Sequence, residues 1–131
     1  MPDFTALARR AAAGAVFAAM IGAGAGAQDP LSPDRRHAAC VEAIAANPEA
    51  AFEEALAWRH QAGGWPAEHC VSLALIALGQ LEYGADRLRA AAAGAVSATD
   101  ASRAIMLGQA GDAYLEAGLA EEALSAFSHG V

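Results

Sequence analysis

The sequence predicts an all-α protein built from antiparallel helical hairpins, and three observations carry that prediction. Ala supplies 39 of the 131 residues, and Ala is the best helix former while burying little area. Apolar residues recur three and four positions apart rather than two. Pro, Asn and Gly interrupt those runs at short intervals, so the helices are joined by tight turns.

Ser32-Pro33-Asp34 reads as an N-cap, a first-turn proline and an acid matched to the helix dipole, so a first helix starts there. Its apolar side runs through His37, Val41, Ile44 and Ala45. Asn47-Pro48 stops it and caps a second helix carrying Phe52, Ala55, Leu56 and Trp58, which Gly63-Gly64 ends. Trp65-Pro66 opens a third helix with Cys70, Leu73, Ala74, Ile76 and Ala77, closed by Gly79. A fourth covers 81–93, with Gly84 and Leu88, before Gly94 breaks it. Ser97, Thr99 and Asp100 launch a fifth that runs to Ala117, Gly118 stops it, and a sixth covers 120–129. The expected hairpins are about 33–63, 66–94 and 99–131.

Ahead of them, Arg9 and Arg10 precede a small, apolar run, 11–27, that ends in Ala25-Gly26-Ala27. A basic start, an apolar core and a small-x-small exit form the pattern of a secretory signal peptide. The run is too short and too rich in Ala and Gly for a lasting membrane span, which needs roughly 20 strongly apolar residues. Residues 1–27 are therefore expected to be cleaved after Ala27, giving an exported, soluble, periplasmic product of one small domain. The whole chain carries a formal charge of −7 and has no Lys. An acidic surface argues against nucleic acid and against anionic lipid as partners.

The stretch Leu107-x-x-Ala110-Gly111-x-x-Tyr114, then Gly118, then Ala123-x-x-x-Phe127 resembles a tetratricopeptide repeat (TPR). Leu107 and Ala110 stand for the usual Trp and Leu, while Gly111, Tyr114, Ala123 and Phe127 agree with the pattern. In the second hairpin Leu75, Gly84 and Leu88 replace Tyr, Ala and Phe. In the first, Asn47-Pro48 stands in place of the turn glycine. The turns at Asn47, Gly79 and Gly118 bracket the roughly 34-residue TPR period. The resemblance implies a stack of about three hairpins, an α-solenoid, in which Gly111 and Ala123 allow close helix approach and Tyr114 and Phe127 fill the flanks. It also implies a task, protein or peptide binding, with His37, Val41, His69, Leu73, Asp112 and Glu116 on the concave face of the leading helices. Homo-oligomerisation through the apolar face of the last helix is the alternative task.

Cys40 and Cys70, the only cysteines, fall on the first and third helices. An even count in an exported chain reads as a disulfide. His37 and His69 lie near them, which raises a zinc alternative. Neighbours on a helix point about 100° apart, so His69 and Cys70 fit one ion poorly, and no metal or other cofactor is expected. The adjacent pairs Glu53-Glu54 and Glu121-Glu122 diverge in the same way and read as solvated charge. Ser125 and His129 lack an accompanying acid or oxyanion feature, so no enzyme activity is expected.

Overall fold

The computed structural model describes residues 32–130; the expected signal peptide and Val131 lie outside the described residues. Within them the chain forms six helices, α1 (Pro33–Ala46), α2 (Pro48–His60), α3 (Gly64–Ala77), α4 (Leu81–Gly94), α5 (Asp100–Glu116) and α6 (Ala120–His129). Each consecutive pair packs together, and α1 also packs along α3. The architecture is all-α and repeat-like, as the sequence predicts.

Three of the helix starts, those of α1, α2 and α5, follow from their caps. Ser32 Oγ accepts from the Arg35 amide, Asn47 Oδ1 from the Ala50 amide at 3.1 Å, and Thr99 Oγ1 from the Ser102 amide at 3.0 Å. Each occupies an otherwise orphaned N-terminal donor. The ends of α3 and α5 share one solution. Gly79 and Gly118 adopt φ of +86° and +79°, the left-handed region that only Gly enters without strain. The amides that follow then reach back: Gln80 to the Leu75 carbonyl at 2.9 Å, Leu119 to that of Tyr114 at 2.8 Å. This is the Schellman closure, repeated 39 residues apart in sequence. Leu75 and Tyr114 thus occupy equivalent positions.

The turn after α2 departs from the sequence expectation. α2 ends at His60, ahead of the glycine pair, and both Ala62 and Gly64 take the left-handed conformation, at φ 63° and 65°. Gly63 is required for closeness instead: a Cβ there would lie 2.6 Å from Ala67 Cβ and 2.7 Å from Trp58 Cδ1. α3 accordingly begins at Gly64, one residue before the expected Trp65.

Two apolar clusters form the interior. The larger joins α4, α5 and α6 around Leu88, Met106 and Tyr114, with Ala residues between them and Trp65, Leu73 and Ile76 of α3 packed on its edge. The smaller joins α2 and α3 through Ala55, Cys70, Val71 and Leu75, with Cys40 and Ile44 of α1 leaning on it. The link between α4 and α5 is part of the fold. Ala95 and Ala98 are buried, and the Arg103 guanidinium donates to the Ala95 carbonyl at 3.0 Å.

Small residues set the helix separations. At Gly111 the Phe127 ring of α6 occupies the space a Cβ would need. At Gly84 a Cβ would meet Ile76 Cγ1 at 2.6 Å and the Ser72 carbonyl oxygen at 2.9 Å. Both are positions where the TPR resemblance called for a small residue. Tyr114 fills the interior behind that contact and its hydroxyl donates to Asp86.

Candidate functional site

α1, α3 and α5 are the leading helices of the three hairpins, and a row of polar side chains joins them. Gln109 Oε1 can only accept, so His69 Nε2–H donates to it, at 2.6 Å. A neutral His69 then presents a bare Nδ1, which accepts from His37 Nε2–H at 2.7 Å. The two bonds fix the tautomer of both rings. One residue from each leading helix takes part.

Aromatic rings wall the row. Trp65 stands edge-on to His37 with centroids 5.4 Å apart, Trp58 lies 6.5 Å from it, and the Arg36 guanidinium covers Trp58 at 5.0 Å. His69 is only 6% exposed. Burial holds the pKa of both imidazoles below the ordinary histidine value. The His69 ring depresses His37 further and Asp34 partly offsets that; the bond to Gln109 partly offsets the shift of His69. Desolvation disfavours the charged form, so this is a neutral row.

Immediately beside it, Cys40 and Cys70 are joined as a disulfide with their Cα atoms 6.2 Å apart. Helical geometry separates the two functions. His69 points along the leading face toward α1 and α5, while the next residue, Cys70, points into the smaller core. The thiols are consumed by this bond, and among the described residues no group of three or more His, Cys, Asp or Glu is placed to hold a metal ion.

The other candidate residues fall around the row. Val41 is exposed one turn beyond His37. Leu73, one turn beyond His69, is half-buried and packs on the edge of the larger core rather than standing free. Asp112 and Glu116 are exposed on α5, three and seven residues beyond Gln109, and make no ion pair among the described residues. The structure therefore brings His37 and His69 into contact and places Asp112 and Glu116 in register with their third partner.

Sequence reasoning missed that third partner: spacing sets Gln109 on the same side of α5 as Asp112 and Glu116, but its bond to His69 depends on how α5 is rotated against α3. It also missed an opposing polar cluster, in which Glu68 accepts from Arg87 at 2.6 Å and pairs with Arg59 at 3.5 Å, while Arg87 donates to the Tyr83 hydroxyl at 2.9 Å. That cluster ties α2, α3 and α4 together. At the far end of the molecule His129 Nδ1 donates to the Ser125 carbonyl oxygen, and the Ser125 hydroxyl accepts from Arg89. His129 and Ser125 thus do not form a nucleophile–base pair. None of the described helices is long and apolar enough to cross a membrane. Compared with known families, characterised proteins and solved structures, the chain matches none.

Proposed function

We propose that this chain is an exported, TPR-like module that binds a peptide or helix of another cell-envelope protein along its leading helices. The observation that carries the reading is the row His37–His69–Gln109, which places one side chain from each leading helix on a single face. Around it lie the exposed Val41 and Ile105, for apolar contact, and Asp112 and Glu116, for polar contact. A face of mixed chemistry, assembled from successive helices, is suited to receiving an extended or helical segment. The buried His69 and the half-buried Leu73 shape the floor of that face, and the exposed residues meet the ligand. No catalytic role is assigned to any group.

Paired charge reversal, Asp112→Lys with Glu116→Lys, tests this. Both side chains are solvated, so the fold should persist with an unchanged melting temperature while capture of the native partner falls at least about tenfold, equivalent to about 1.4 kcal/mol. Undiminished capture would remove α5 from the site.

A second reading, self-association, is favoured by Leu124 of α6, which is 70% exposed. A mass in solution that doubles with concentration, and that Leu124→Glu returns to the monomer value, would support it.

A further inference from the structure

We propose that α1 is a releasable latch, held on α3 by two chemically independent ties, the Cys40–Cys70 disulfide and the His37–His69 hydrogen bond, and freed when thiol reduction and acid act together. The latch operates whether or not the leading face binds a peptide.

The first ground is what α1 lacks. It buries no residue at all, whereas every other helix buries at least two. Its apolar contribution is limited to Cys40 and Ile44, partly buried against the smaller core. Toward α2 it offers Arg36, in an exposed 3.5 Å bond to Gln61 and over the Trp58 ring. A helix this lightly packed stays in place through its specific ties, and local opening draws on such elements.

The second ground is that each tie can be cut on its own. Cys70 is buried, but Cys40 lines a recess of about 90 Å³ with Arg36, Ala39, Glu54 and Trp58. A dithiol reductant therefore attacks the Cys40 sulfur. The S–S bond breaks, two electrons and two protons leave Cys40 and Cys70 as thiols, and the donor closes its own disulfide.

The imidazole tie responds to protons. With one extra proton the pair stays bonded, since His69 Nδ1–H can donate to a His37 that has shifted its own proton to Nδ1. With two, N–H faces N–H and the rings part. The charges around them do little to hold a doubly protonated pair. Asp34, one turn earlier on α1, favours the charged form of His37 but sits on the same helix and so gives α1 no hold on α3. On α2 and α4, Arg59 and Arg87 are engaged with Glu68 of α3. α2 also carries the exposed His60, and α5 offers the neutral Gln109 and, beyond it, the exposed Asp112. A cationic His69 keeps its bond to Gln109, so acid loosens α1 and not α5.

Amide hydrogen exchange of the full chain, read by mass spectrometry, tests the latch. Cys40→Ser with Cys70→Ser stands in for reduction and His37→Phe for acid, all compared at pH 7.5. In the combined variant, peptides from α1 should exchange about fivefold or more faster than in either parent, the worth of one net hydrogen bond, while α5 and α6 peptides stay protected. The unmodified chain at pH 5 with a phosphine reductant should show the same pattern, with exchange times scaled for pH. Exchange in α1 no faster in the combined variant than in the serine pair would overturn the proposal. So would loss of protection in all six helices together.

Discussion

The first and last helices of the stack are held in opposite ways. α6 is fixed by packing: Ala123 and Ala126 are buried, and Phe127 sets its ring where Gly111 leaves room. α1 is fixed by chemistry: it has no fully buried residue and instead carries one end of a disulfide and one end of a histidine row. The difference follows from the side chains each end has available. Near α6 the buried core contains Leu88, Met106 and Tyr114, whereas near α1 it is the smaller set Ala55, Cys70, Val71 and Leu75, with Ile44, Phe52 and Leu56 only partly buried against it. An Ala-rich helix supplies little apolar area, and a covalent bond and polar contacts take over where packing is thin.

The largest test of that contrast removes the covalent tie. Cys40→Ser with Cys70→Ser should cost about 3–4 kcal/mol in denaturant unfolding, the chain-entropy value for a loop of this length. The loss should concentrate in α1 to α3. An effect under about 1 kcal/mol would mean that packing holds the first helix after all.

Packing at the other end is tested by two glycines of one helix. Gly111→Ala places a methyl group against the Phe127 ring, whereas at Gly108 nothing lies within 4 Å. Overpacking costs typically about 1–3 kcal/mol, against a helix-propensity gain of about 1 kcal/mol for Ala over Gly. Gly111→Ala should therefore destabilise on balance, and Gly108→Ala should stabilise by about 0.5–1 kcal/mol. Equal effects in thermal melts would deny the close contact with α6.

The smallest effect concerns acid. Both row histidines have lowered pKa values in the folded chain, with burial the main cause. In the unfolded chain they protonate near the ordinary value of about 6.5. Between those limits the unfolded state holds more protons, so stability rises with pH. Their contribution is complete above about pH 6.5 and is lost as pH falls below it. Melting temperatures measured from pH 7.5 to 5 should decline in the native chain and flatten in a His37→Leu, His69→Leu variant. Parallel curves would show that the row does not favour neutral rings.

Much of this fold was legible because its punctuation is local. Pro33, Asn47, Pro48, Thr99, Gly79 and Gly118 act within one turn of their own position, and each marks a helix end in the structure. The cysteine pair was legible by parity and by its place on two helices expected to pack side by side. Gln109 was not, because its role depends on the rotation of α5 against α3, which spacing along the chain does not set. The turn at Ala62 was missed for a related reason. The turn was expected at the Gly63-Gly64 pair, and Gly64 is left-handed there, but so is Ala62, while the small size of Gly63 serves contact with Trp58 and Ala67. Local chemistry can be read from sequence, while contacts between hairpins depend on how the hairpins stack.

Site-specific photo-crosslinking in cells producing the full chain tests the proposed docking face most directly. A photoreactive residue would replace Val41 or Glu116 on the leading face, or Ala57 or Leu124 on the trailing helices. The account predicts one shared heterologous adduct from Val41 and Glu116 and none from the other two. An adduct from Leu124 at twice the mass of the chain, with silence at Val41 and Glu116, would contradict it and make self-association the function.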